Sequence, residues 1–110
     1  MSDVNSWETI CEATDIPAGL GVRALLGEAE VAVFRVAEKL YAVDAIDPFT
    51  KMPVLARGLV GDLQGQVVVA SPIYKQHFNL ETGQCLEDEA VKLNVYPVRE
   101  EAGQVQLAQA

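Results

Sequence analysis

The chain has 110 residues, half of them apolar, and a mean hydropathy of +0.15, which excludes disorder as a description of the whole. That length holds one hydrophobic core, burying roughly 65% of the surface an extended chain exposes. Sixteen acids against eight bases leave a net charge of −8 and a pI near 4.4, a field that repels nucleic-acid phosphates, and no apolar run nears the ~20 residues of a membrane helix.

The elements read as strands. WETICEA sets Trp7, Thr9 and Cys11 against Glu8, Ile10 and Glu12, a period of two that predicts an opening strand. After the breaker DIPAGLG at 15–21, the β-rich runs EVAVFRV and LYAVDAI are separated by AEK and form a predicted hairpin. DPFTKMP at 47–53 then interrupts. Residues 56–64, ARGLVGDLQ, read as one irregular turn at most, because two glycines oppose a helix. QVVVAS is β-branched and apolar on both faces, as a strand buried on both sides requires. YKQHFNL reads as a strand or loop edge carrying a surface His77, and TG at 82–83 as a turn. VKLNVY alternates Val91, Leu93 and Val95 with Lys92, Asn94 and Tyr96; the polar EEAG then leads to GQVQLA with Val105 and Leu107. Short strands punctuated in this way indicate an all-β sandwich or barrel, a single unit over 1–110 with a short-stranded loop subdomain at about 45–80. Long loops on a rigid β scaffold are where sites lie.

Charge marks the same segment. Residues 1–44 carry eight acids and three bases, and residues 81–110 six and two. Between them, Lys51, Arg57 and Lys75 outnumber Asp47 and Asp62.

Counting limits the chemistry. One histidine and two distant cysteines, Cys11 and Cys85, cannot supply a four-ligand zinc site alone, and a four-cysteine iron–sulfur cluster is excluded. Nothing in the spacing supports a mononuclear site of His77, Asp47 and another carboxylate. Ser71 precedes Pro72 and sits in no nucleophile elbow, and GLG at 19–21 is not a phosphate loop. Glu87-Asp88-Glu89 reads as a solvated acidic turn, and Tyr41, Tyr74, Phe49 and Phe78 as core or cap residues rather than base-stacking platforms. The first basic residue is Arg23, so no charged leader precedes an apolar stretch; a reducing, cytoplasmic setting with structural thiols is expected.

LYAVDAIDPFTKMPVLARGLV followed by VVVASPIYKQHFNLETGQCL resembles the Rieske iron–sulfur domain, over about residues 5–107. That family carries Cys-Pro-His in a first loop and Cys-Pro-x-His in a second. Here Asp47 and Ser71 stand at the cysteine positions, and Phe49 and Tyr74 at the histidine positions. The framing residues persist: Asp44, Gly58-Leu59, Phe78-Asn79-Leu80 and Glu81-Thr82-Gly83. The resemblance implies a Rieske-like fold with a collapsed site, its former pocket filled by the rings of Phe49 and Tyr74, and with Asp47 and Ser71 bonding loop backbone.

Together with DIP-G-GV-AL near the start and YKQHFNLETGQCLEDE in the loops, these motifs look like the small-subunit family of assimilatory NAD(P)H-dependent nitrite reductases. The resemblance implies a cytoplasmic large-subunit partner bearing FAD, an iron–sulfur cluster and sirohaem, which reduces nitrite to ammonia. The present chain then holds no cofactor and no catalytic residue of its own. A stand-alone Rieske-type electron carrier and a cluster-free adaptor with another partner are the competing readings. The expected docking face is the loop tip, with Lys51, Arg57, Lys75, Gln76 and His77 as its rim and Met52 and Pro53 as its apolar centre.

Overall fold

Left-handed turns close four hairpins. Gly27 (φ +63°), Ala37 (φ +56°), Gln64-Gly65 (φ +55° and +82°) and Ala102-Gly103 (φ +54° and +82°) each sit between antiparallel strands, where such turns match the strands' twist. A computed structural model describes residues 7–109. In chain order the strands are β1 (Glu8–Glu12), β2 (Gly21–Leu26), β3 (Ala29–Val36), β4 (Lys39–Asp44), β5 (Leu59–Leu63), β6 (Gln66–Ala70), β7 (His77–Asn79), β8 (Val98–Glu101) and β9 (Gln104–Leu107). Short 3-10 turns occupy Ala13–Asp15 and Leu55–Arg57.

The strands form three antiparallel sheets in the orders β2-β3-β4, β5-β6-β7 and β1-β9-β8. β3 explains their stacking. Its run Val31-Ala32-Val33-Phe34 is wholly buried, and successive side chains enter opposite faces. Val31 and Val33 join Leu26, Tyr96, Val105 and Leu107 on one face; Ala32 and Phe34 join Leu55, Val69, Phe78 and Leu80 on the other. The central sheet therefore packs against β1-β9-β8 through one cluster and against β5-β6-β7 and the loops through the second. Burying each large apolar side chain contributes about 1.5–3 kcal/mol.

The all-β fold, the hairpin β3–β4 and the strand β9 agree with the sequence reading, but β9 pairs with β8 (Val98–Glu101), which takes in Glu100 and Glu101 of the expected EEAG connection, and not with VKLNVY. Three further features differ. GVRALL forms β2, hidden from pattern reading because Leu25 faces solvent (65% exposed) and spoils the alternation. Within the 56–64 stretch read as irregular turn, Leu59–Leu63 is strand β5, a thinly buried strand at its sheet's edge with Leu59 75% exposed. VKLNVY is not a regular strand and makes only isolated bridges, Gln84 with Lys92 and Val43 with Val95. Its backbone bonds are divided between two neighbours: Cys85 N–H donates to Val91 O (3.1 Å) and Leu93 N–H to Gly83 O (2.8 Å) at the turn, while Asp44 N–H donates to Asn94 O (3.0 Å) and Tyr96 N–H to Ala42 O (2.9 Å) on β4. No single neighbour offers a continuous ladder, so the alternation survives without the pairing.

Asp44 staples this segment to β4. Its Oδ2 accepts from Asn94 N–H (2.7 Å) and its Oδ1 from the Tyr96 hydroxyl (2.8 Å). Burial, then the Asp44 carboxylate, pushes the Tyr96 phenol up to about 12 from 10. A raised folded-state value means that the contribution is complete below pH ~10 and is lost as the pH climbs through ~12. Tyr96→Phe should thus lower stability by about 1–2 kcal/mol at pH 8, by loss of a partly buried hydrogen bond to a charged group. The gap from wild type should narrow by pH 11.5 in chemical denaturation. A gap that stays constant across this window would show that the phenol does not titrate as described.

Candidate functional site

Two loops leave adjoining sheets and repeat one local geometry. In loop 1 (45–54) Asp47 N–H donates to Met52 O (2.9 Å) and Lys51 N–H to Asp47 O (2.7 Å). In loop 2 (71–76) Ser71 N–H donates to Gln76 O (2.9 Å) and Lys75 N–H to Ser71 O (3.1 Å). Both lysines take left-handed backbone, φ +63° and +66°. Asp47 and Ser71 therefore hold equivalent places in twin turns, and their side chains meet. Ser71 Oγ donates to Asp47 Oδ2 at 2.5 Å, across 24 residues of sequence, with Asp47 fully buried and Ser71 1% exposed. Asp47 Oδ1 also accepts from Phe49 N–H (2.8 Å), and Ser71 Oγ from Ile73 N–H (3.4 Å).

The Phe49 ring tilts 44° against Phe78, centroids 6.3 Å apart, and packs on the core beneath the loops. Tyr74 differs from expectation. It is 65% exposed, so its ring does not fill the space between the loops. The Asp47–Ser71 pair already spans that gap, and a phenol with a polar tip is at home in water.

The residues present do not fit the [2Fe–2S] cluster that the fold implies. Such a centre needs two thiolates and two imidazoles. A carboxylate and a hydroxyl bonded to each other, one packed phenyl and one outward phenol replace them. Among the described residues no three His, Cys, Asp or Glu side chains gather as a metal site.

The expected docking residues divide. Lys51, Met52 and Lys75 are exposed at the tip. Ile46, Ile73 and Tyr74, which sequence reading did not assign to that face, accompany them; among the described residues, four of the seven exposed large apolar side chains lie on these loops. Pro53 and Arg57 lie instead along a cleft of about 300 Å³ shared with Gly21, Arg23 and Ala56. Lys51 shares a second cleft with Glu28 and Glu30. His77 does not extend a basic rim, because Glu87 holds it: Nδ1 lies 2.6 Å from Oε2, and His77 N–H donates to Oε1 (2.7 Å). Burial acts to raise the Glu87 carboxyl, but these bonds and the imidazole's charge prevail and set it below its usual range. Glu87 is thus more than part of a solvated turn. Gln76, half-buried, carries the one buried side-chain oxygen without a partner among the described residues.

Burial, with Asp15 adding at Cys11, raises both thiols, and Cys85 lies in the core; both cysteines are free. They are not activated nucleophiles.

Residues 6–108 match the family model of the Rieske-like [2Fe-2S] domain. The chain is also 43% identical to the nitrite reductase (NADH) small subunit of Escherichia coli (strain K12), over 94% of this chain and 98% of that protein. It belongs to the nitrite reductase small-subunit family. A crystal structure of another family member, an NADH-dependent nitrite reductase small subunit from Mycobacterium tuberculosis, superposes with a TM-score of 0.90 at 41% identity, covering 94% of this chain and 95% of that one. The same small-subunit domain recurs inside a longer protein: 90% of this chain is 38% identical to 10% of the nitrite reductase [NAD(P)H] large subunit of Klebsiella oxytoca. Among the described residues, no helix is long and apolar enough to cross a membrane.

Proposed function

We propose that this chain is the non-catalytic small subunit of a cytoplasmic, assimilatory NAD(P)H-dependent nitrite reductase. It docks on and supports a large subunit that carries FAD, an iron–sulfur cluster and sirohaem and reduces nitrite to ammonia. The observation that carries this reading is similarity over nearly the whole chain to small subunits, combined with ligand loops that close on themselves. Electron transfer through a Rieske domain needs its cluster; the four replaced positions offer no substitute, which leaves surface as the contribution. The Klebsiella large subunit, with a matching segment in its own chain, supports a role in contact with the cofactor-bearing polypeptide.

The loop tip is the docking face in this reading. Asp47 is buried, so the acid that offsets the loop bases in the sequence is withdrawn from the surface. Lys51 and Lys75 at the tip are then offset by no exposed acid within the two loops. Apolar Met52, Ile73 and Tyr74 inside a charged margin fit the anatomy of a protein interface.

The test is to produce the cognate large subunit with and without this chain. The reading expects co-purification, nitrite-dependent NAD(P)H oxidation that depends on the added chain, and isolated small subunit that is colourless and free of iron after anaerobic reconstitution. Stoichiometric iron with a Rieske-type paramagnetic signal would overturn the cluster-free role and restore the electron-carrier reading.

A further inference from the structure

The two loops of the tip are tied by very little. Every backbone hydrogen bond that Asp47, Lys51, Ser71 and Lys75 make stays inside its own loop. Among the described residues, Ser71 Oγ to Asp47 Oδ2 is the sole hydrogen bond that crosses from one loop to the other. We propose that this buried pair is the cross-link that fixes the two loops relative to each other, the structural part that a metal cluster plays in a ligand-bearing Rieske domain.

Three observations carry it. The pair occupies the same position in each of the twin turns, where one ligand from each loop would meet a shared metal. Each partner also holds its own turn, Asp47 through Phe49 N–H and Ser71 through Ile73 N–H, so the link couples the two turns rather than only touching them. Both groups are buried, so removing either leaves the other without a partner and away from water, which costs more than an exposed bond would. A link of this kind needs neither iron nor a given redox state. The tip keeps one shape whatever the metal supply, and the part of the inference that concerns docking rests on the function proposed above.

Amide hydrogen exchange on the full chain tests it. Ser71→Ala and Asp47→Ala, each of which removes one partner of the link, should each speed exchange at Lys51 and Lys75, whose N–H groups close the turns, by about 10- to 100-fold. Val33 and Val43 of the central sheet should change much less. Ser71→Thr, which keeps the hydroxyl, should stay near wild type. Unchanged loop protection, or loss shared equally by Val33 and Val43, would overturn the link; so would failure of Ser71→Ala to fold if Asp47→Ala folds with its loops still protected. Wild-type protection should not respond to EDTA or dithionite; a response would mean that a metal joins the loops, and the cluster-free reading would fail with it. Loosened loops in variants that bind the large subunit as tightly as wild type would support the link and overturn its docking role, locating that failure in the proposed docking face.

Discussion

Gly83→Ala should destabilise the protein by about 2–5 kcal/mol, a large share of the ~5–15 kcal/mol that holds a domain of this size together. Gly83 has φ +81°, and a Cβ there would collide with the carbonyl oxygen of Leu93 and approach Leu93 C at 3.0 Å and Val95 Cγ2 at 3.2 Å. The obstruction is backbone, which cannot rotate aside. The same carbonyl-bearing segment is bonded back to Gly83 through Leu93 N–H, so the collision disrupts the contact that seats residues 92–97 against the turn. Asn79, nearly buried, organises that turn by accepting from Glu81 N–H (2.7 Å) and Thr82 N–H (3.0 Å), and leaves it no room to shift. Gly19→Ala provides the comparison. Its φ is also +81° but nothing lies within 4 Å of the added carbon, so its loss should stay near ~1–2 kcal/mol. Equal losses in thermal or urea unfolding would show that the Leu93 contact adds nothing.

The second large effect concerns assembly. Lys51→Glu combined with Lys75→Glu should slow association with the large subunit by roughly tenfold or more at low ionic strength and flatten its dependence on salt. Both positions have left-handed backbone, and neither lysine pairs with an acid within 4 Å among the described residues, so the exchange breaks no ion pair; Glu at 51 joins Glu28 and Glu30 in their cleft, so the unfolding midpoint of the variant is measured alongside. Reversal of Glu89 and Glu101, exposed acids outside both loops, is the matched control. Glu87 is unsuitable for it, because its carboxylate holds His77. Surface plasmon resonance at two salt concentrations reads the difference. Equal weakening by the basic and acidic pairs would remove the loop tip as the docking face.

What could be read from the sequence follows from how local each signal is. β3, β4 and β9 announce themselves because their apolar residues alternate or run together between turns. β2 and β5 do not, since Leu25 and Leu59 face water and Gly61 interrupts. The alternation of residues 91–96 is real but is no guide to pairing, which is split between the 83–85 turn and β4. At the site, the replacement of all four ligand positions is legible once the two loops are set against the Rieske motif they resemble. That Asp47 and Ser71 bond to each other is not, because the contact joins residues 24 apart and depends on two loops taking the same turn. The outward position of Tyr74 is hidden in the sequence for a related reason: ring size says what could fill a gap, not whether something smaller has already closed it. Ile46 and Ile73 escaped notice because single apolar residues in loops carry no pattern; only their gathering at one tip distinguishes them.

The pairing of β1 with β9, which sets Glu8 beside Leu107, brings the two ends of the fold onto one sheet, across the central sheet from the loops. A polypeptide fused at either end would leave the tip uncovered, an arrangement compatible with a domain carried inside a larger chain, as in the Klebsiella protein. Covalent tethering of that sort raises the local concentration of the domain to about the millimolar range, so even feeble contacts suffice to keep it seated. A separately made subunit has no such leash, and on the docking proposed above the contacts of its tip would have to hold the complex together at the concentrations of the cell.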